Sequence, residues 1–110
     1  MPDMIEVAQG AVTAIRHNLD QNTLGWSNTV ALEEIQTEIA RIRAVIPQIS
    51  ASEYLVERLA ALDSWLDILF SERKHLKHGG ADQVKVVVLS ELGKIDRFLR
   101  RPDSHAAGNH

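Results

Sequence analysis

The residue types best suited to chemistry are concentrated between positions 73 and 80, in the segment RKHLKHGG. Arginine and lysine bind carboxylates and phosphates through charge-assisted hydrogen bonds, and histidine exchanges protons near neutral pH. We call residues 73–78 the basic segment. Its composition predicts a site for an anionic group or, in the simpler interpretation, solvated cations that stabilise a helix end through the helix dipole.

A tryptophan that is distant in sequence, Trp26, is expected close to the basic segment. In an up-down bundle of four helices the first and third connections lie at the same end, and Trp26 falls in the predicted first connection. An indole beside cations stacks on a base or helps to hold an anion. The alternative is that Trp26 packs as a lid on the bundle. The candidate binding residues are therefore Trp26, Arg73, Lys74, His75, Lys77 and His78.

Arg73 and His78 also have the spacing R-x4-H. In this hexapeptide the chain resembles the HEPN family of helical domains, many of which are ribonucleases. The resemblance implies that Arg73 and His78 form an acid–base and phosphate-stabilising pair that acts on the RNA 2′-hydroxyl. Lys74 stands where the family often has a polar residue, and the likeness covers the hexapeptide alone.

Other kinds of chemical site are not predicted. His75 and His78 lie three residues apart and would face one metal from a helix, but a zinc site requires a third and usually a fourth ligand. The chain has no cysteine, and acidic pairs such as Glu34–Glu38 lack the Glu-x-x-His motif of di-iron bundles. A nucleophile elbow and a glycine-rich phosphate loop are also missing. We therefore predict no enzymatic activity, no metal and no cofactor.

The composition is that of a globular domain with an uneven charge distribution. Of 110 residues, 45% are hydrophobic and 25% charged, and the net charge is −3. Residues 1–70 carry a net charge of −6 and residues 71–110 a net charge of +3. General nucleic-acid binding is unexpected for an acidic chain. No apolar run is long enough to span a bilayer and the start lacks a signal-peptide pattern, so we expect a cytoplasmic protein without membrane contact.

Two helices are predicted in the first half of the chain. The first spans residues 3–20, because Ile5, Ala8, Val12, Ile15 and Leu19 repeat at helical spacing. The second begins at residues 27–29 and ends where Pro47 removes a backbone donor and disfavours helical geometry at Ile46. Ser50 and Glu53 then fit a capping box that starts the next helix.

Two longer helices are predicted in the second half. The third spans residues 51–77, with leucines at heptad positions and Arg73 in one heptad slot, and the glycines at 79 and 80 end it. The fourth spans residues 83–101, with Asp82 as its cap. The run VKVVVL near its start also reads as a β-strand, but a single strand has nothing to pair with, so we favour a helix.

These elements predict an all-α fold, an antiparallel up-down bundle of about four helices with short loops. We expect one domain over residues 1–102 and a flexible polar tail over residues 103–110. Lys94, Arg97 and Arg101 form a cationic stripe on the last helix, for which acidic faces of the other helices are the simplest partner and an acidic surface of another protein the alternative.

The function that follows is a non-catalytic protein–protein interaction module, such as an adaptor, regulator or assembly factor. Helices with regular heptad stripes self-associate readily, so we expect a homodimer. We also expect a different protein as a second partner. Val56, Trp65 and Phe70 flank the stripe of the third helix and are the candidate interface. The alternatives are that all three pack in the monomer core, and that the protein is directed at RNA or a nucleotide through Arg73 and His78.

Overall fold

The computed structural model describes residues 4–21, 28–49 and 52–100. These residues form four α-helices: α1 (Met4–Gln21), α2 (Thr29–Val45), α3 (Glu53–Leu69) and α4 (Ala81–Arg100). Three pairs of helices are antiparallel, because the last turns of one helix contact the first turns of the other. The contacts are Asn18–Glu34 between α1 and α2, Tyr54–Phe98 between α3 and α4, and Asp20–Lys85 between α1 and α4. It follows that α2 and α3 also run in opposite directions. The predicted all-α antiparallel bundle is confirmed.

One hydrophobic core lies between the four helices and contains the stripes identified in the sequence. Its fully buried side chains include Ile15, Ile39, Leu62 and Leu92, one from each helix. Full burial of a leucine or isoleucine contributes about 1.5–3 kcal/mol, so this core dominates the stability of the bundle. Ala8 is also fully buried on α1, at a position where its small side chain allows a neighbouring helix to approach closely.

Local signals at both ends of α2 act as predicted. The side chain of Asn28 accepts a hydrogen bond of 3.2 Å from the backbone N–H of Ala31, which satisfies one free donor of the first turn. At the other end, Pro47 lies within a short 3-10 helix, Ile46–Gln48, and the α-helix ends at Val45. Ser50, the predicted cap of the following helix, lies outside the described residues. That helix begins at Glu53 with Ser52 at its N-cap, so Glu53 is the first helical residue and not the third, as the predicted capping box requires.

The third helix is shorter than predicted. It ends at Leu69, and residues 74–78 form a separate 3-10 helix, Lys74–His78. Ser71 donates from its hydroxyl to the carbonyl of Ile68 at 2.6 Å, an interaction that competes with helix continuation. Beyond this point Arg73 occupies the slot where an apolar side chain is needed, and Leu76 is 65% exposed. Because no apolar face continues the stripe, packing does not favour a longer helix.

The fourth helix includes the β-branched run that also reads as a strand. Within α4, Val84 and Val88 are fully buried while Val86 is 60% exposed, which is helical periodicity rather than alternation. Asp82 lies in the first turn of this helix rather than before it. None of the helices in the described ranges is long and apolar enough to cross a membrane. The end of the predicted domain at residue 102 and the predicted tail lie outside those ranges.

Candidate functional site

The basic segment forms a compact turn between α3 and α4. The backbone N–H of Leu76 donates to the carbonyl of Arg73 at 3.0 Å, and that of Gly80 donates to the carbonyl of His75 at 2.9 Å. Gly79 ends the 3-10 helix with a φ of 89°, in the left-handed region that glycine enters without steric cost. Backbone geometry therefore determines the shape of this turn.

The cations of the basic segment are exposed to solvent. Arg73, Lys74 and Lys77 are all exposed, and the Lys74 ammonium lies 2.8 Å from the carboxylate of Asp67, with both side chains about two-thirds exposed. Ion pairs as exposed as this one contribute about 1 kcal/mol or less. The turn thus presents positive charge to water without enclosing a binding site.

The two histidines of the basic segment have different surroundings. The His78 ring meets the Trp65 indole edge-on, with ring centroids 5.1 Å apart, while His75 is partly buried and its Nδ1 has no hydrogen-bond partner. Positions i and i+3 lie on one side of a 3-10 helix, so both histidines belong to the same side. Across the described ranges, no three His, Cys, Asp or Glu side chains are grouped to hold a metal ion.

The predicted binding residues of the basic segment differ in their contacts. His78 contacts α3, Lys74 pairs with α3, and Arg73 precedes the 3-10 helix with its side chain in solvent. Trp26 lies outside the described residues. The described surface has grooves at the α1–α2, α2–α3 and α3–α4 boundaries, and none of these three grooves is lined by a residue of the basic segment. A nuclease role for Arg73 and His78 stays a prediction.

The predicted interface residues of α3 occupy three different environments. Phe70 is only 6% exposed and belongs to the core, where it offers almost no area to a partner. Val56 and Trp65 are nine residues apart, and at about 100° per residue they lie on opposite flanks of the helix. Trp65 is partly buried and shares its flank with Arg58, which contacts α4. Val56 is 48% exposed and shares the other flank with Asp63, which pairs with Arg43 of α2. These three residues do not form one patch.

A buried charge cluster at the boundary of α3 and α4 was not predicted from the sequence. Glu91 is only 4% exposed, yet its two carboxylate oxygens accept separate hydrogen bonds of 2.8 Å from Arg58 of α3 and Lys94 of α4. A buried carboxylate is tolerated when it is paired and hydrogen-bonded in this way. The Nε of Arg58 is buried and has no hydrogen-bond partner.

Aromatic side chains lie on both sides of this charge cluster. Towards one end of the bundle the rings of Tyr54 and Phe98 stack with centroids 5.4 Å apart, and the Arg58 guanidinium lies 5.7 Å from the centroid of Tyr54. Towards the other end is the contact between Trp65 and His78. We call this surface, formed by Tyr54, Arg58 and Trp65 of α3 with Glu91, Lys94 and Phe98 of α4, the α3–α4 face.

One sequence signal identifies the buried cluster in retrospect. Glu91 lies three residues after Val88 and four before Ile95, within the apolar stripe of α4. A carboxylate at such a position predicts burial with a cationic partner. The partner Arg58 lies 33 residues earlier, and no local pattern connects the two residues.

Two of the surface grooves lie away from the α3–α4 face, at the α1–α2 and α2–α3 boundaries. The first, of about 330 Å³, is lined by polar residues including His17, Asn18 and Glu34, and the side-chain amide of Asn18 donates to Glu34 at 2.7 Å. The second is lined partly by Arg43 and Asp63, which form an ion pair. Polar contacts between neighbouring helices account for both grooves.

Comparison with known proteins gives no information about the function of this chain. The chain has no significant match among models of protein families, among curated proteins or among solved structures. The R-x4-H resemblance gains no support from this comparison.

Proposed function

We propose that this protein is a non-catalytic protein–protein interaction module, of the adaptor, regulator or assembly-factor kind, and that it self-associates through the α3–α4 face. The observation that carries the proposal is the alignment of Tyr54, Arg58 and Trp65. Their spacings of four and seven residues place them in one narrow sector of α3. Tyrosine, arginine and tryptophan are the residue types most enriched among the energetic hot spots of protein interfaces.

These three side chains are held in place before any partner arrives. Tyr54 stacks on Phe98, Arg58 is fixed by Glu91, and the Trp65 indole contacts His78. Immobilising a side chain costs about 0.5–1.5 kcal/mol on association. A surface that is already ordered avoids part of this cost, which favours binding over a surface of free side chains.

Each of the three side chains retains some exposed surface for contact. Tyr54 is 42% exposed and the Arg58 side chain 27% exposed, while Trp65 is partly buried. A surface that mixes aromatic and charged side chains in this way suits an interface formed by a protein that is also stable alone, since such interfaces are about as polar as the rest of the surface.

A role in binding rather than catalysis is supported by the state of the charges. On the α3–α4 face, one carboxylate satisfies two cations through direct hydrogen bonds of 2.8 Å. Groups engaged in this way stabilise the helix packing and are not held ready for proton transfer to a substrate.

The test is light scattering coupled to size exclusion over a wide range of protein concentration. We expect a dimer for the wild type and a shift to monomer for Trp65→Ala. Val56→Ala is the matched control, because Val56 is also a partly exposed apolar residue of α3 but lies on the opposite flank. It should leave the dimer intact, and circular dichroism should show that both variants remain helical.

Two results would contradict this proposal. A wild type that is monomeric at every concentration removes self-association. A dimer that survives Trp65→Ala and dissociates in Val56→Ala assigns the contact to the α2–α3 side of the bundle.

A further inference from the structure

One end of the α3–α4 face contains a groove whose lining is both aromatic and cationic. Tyr54, Lys94, Arg97 and Phe98 surround an open depression of about 340 Å³. We call it the Tyr54 groove. Its size falls at the lower end of the range for ligand pockets, and an open groove of this size accepts a few side chains of an extended peptide.

The floor of the Tyr54 groove is an ordered aromatic surface. Phe98 is 5% exposed and supports Tyr54, which remains 42% exposed as a residue. The two rings lie 30° from parallel, so the outer ring is fixed in orientation by the inner one. Such a surface favours contact with a large apolar side chain.

The wall of the Tyr54 groove carries an excess of positive charge. Glu91 is the carboxylate beneath it and is shared by Arg58 and Lys94, which leaves one positive charge uncompensated. Arg97 is exposed and forms no ion pair with any residue in the described ranges. Lys94 and Arg97 lie three residues apart and therefore point from adjacent turns of α4.

We propose that the Tyr54 groove binds a short acidic peptide segment of a partner protein, in which an aspartate or glutamate stands next to a large apolar residue. Arg97 and Lys94 hold the carboxylate, and the Tyr54 ring packs against the apolar side chain. The inference rests on the proposed function, since it names the chemistry of a partner for the same face. Tyr54 belongs to both contacts, so the peptide and a second copy of the chain compete for this end of the face.

The surrounding charges favour a short peptide over a nucleic acid. Glu53 and Glu57 are exposed on α3 on either side of Tyr54 in sequence, and the chain as a whole carries a net charge of −3. A long phosphate backbone would pass these carboxylates and meet repulsion, whereas a peptide with one or two carboxylates contacts the groove alone. Screening within about 10 Å at moderate salt limits the effect of more distant charges on the peptide.

The experiment measures fluorescence polarisation of a labelled peptide that contains glutamates beside a phenylalanine, titrated with the full-length protein. A peptide with glutamine at every glutamate is the control ligand. Arg97→Ala should weaken binding by roughly tenfold, because one charge-assisted hydrogen bond is lost. Arg100→Ala is the matched control variant. Arg100 lies three residues after Arg97 and carries the same charge, but it is paired with Asp96. Its loss should change the affinity by less than about twofold.

Each alternative outcome has a separate meaning. No binding of the glutamate peptide, or equal weakening by Arg97→Ala and Arg100→Ala, overturns the proposal. Displacement of the labelled peptide by inorganic phosphate at concentrations similar to that of the peptide also overturns it, since the groove would then be a site for small anions. If the wild type forms the Trp65-dependent dimer but does not bind the peptide, the peptide proposal is wrong and self-association stands. If the wild type is a monomer that binds the peptide, self-association is wrong and the peptide proposal stands.

Discussion

The basic segment and the α3–α4 face differ in how their charges are brought together. The basic segment gathers five cationic or histidine side chains within six consecutive residues, yet its charges lie in solvent, and in its ion pair, Lys74–Asp67, both side chains are about two-thirds exposed. The α3–α4 face joins Arg58 to Glu91 across 33 residues and buries the carboxylate almost completely. Charges that are dense in sequence are here the weakly coupled ones.

The comparison teaches that burial, rather than charge density, identifies where a charge has a defined role. In water an ion pair at 4 Å is worth about 1 kcal/mol, and the interaction grows as solvent is excluded. The α3–α4 boundary excludes solvent because apolar stripes of both helices pack around Glu91. The turn between the two helices has no such stripe.

The largest expected difference between the two regions is in stability. Glu91→Gln should lower the free energy of unfolding by about 2–3 kcal/mol, because it leaves Arg58 and Lys94 without their carboxylate in a partly buried setting. Asp67→Asn is the matched change for the basic segment, because Asp67 of α3 pairs with Lys74. It should lower the free energy of unfolding by less than about 1 kcal/mol. Urea denaturation of both variants measures the difference.

Salt sharpens the same comparison. The small effect of Asp67→Asn should disappear at high ionic strength, whereas most of the effect of Glu91→Gln should persist because the Glu91 side chain is only 6% exposed. Equal losses of stability in the two variants would show that the buried cluster contributes no more than a surface pair.

A smaller effect is expected from the glycine that shapes the basic segment. Gly79→Ala should destabilise the protein by about 1–2 kcal/mol, because its φ of 89° is strained for alanine and the new methyl group would lie 3.0 Å from Cγ of Gln83. Gly10→Ala is the control inside a helix, where the added carbon meets no atom within 4 Å apart from the adjoining residues and the helix's own backbone. It should stabilise the protein by about 0.5–1 kcal/mol.

The thermal midpoints of these two glycine variants should therefore move in opposite directions. If Gly79→Ala also raises the midpoint, the backbone does not require the left-handed conformation, and side-chain contacts of the basic segment hold the turn instead.

The sequence predicted the helices well where periodicity or a cap decided the outcome. The stripe from Ile5 to Leu19 and the stop at Pro47 each depend on residues close in sequence, and the structure follows them. The predicted end of α3 at residue 77 was wrong, since the helix ends at Leu69. The heptad count treated Arg73 and Leu76 as part of the apolar stripe, but Leu76 is 65% exposed and does not pack. The length of a helix depends on whether its face finds a partner, which is a tertiary property.

The candidate site was harder to predict for the same reason. The face that we propose as the interface combines Arg58 with Glu91 and Tyr54 with Phe98, pairs that only the packing of two helices creates. Trp65 was singled out from the sequence, but its grouping with Val56 and Phe70 does not match the structure, in which one is on the opposite flank and the other in the core.

The smallest expected effect concerns Arg73 and His78. We expect the Arg73→Ala/His78→Ala double variant to lose about 0.5 kcal/mol of stability, mainly from the ring contact with Trp65, and we expect neither this variant nor the wild type to cleave RNA. The reason is geometric, since both groups must lie within hydrogen-bond reach of one substrate, whereas the His78 ring packs against Trp65 and the Arg73 side chain is exposed to solvent without a fixed position. The measurement is a cleavage assay on size-exclusion fractions of both proteins. Cleavage by the wild type that the double variant lacks would reverse the comparison and make the basic segment the functional region of the molecule.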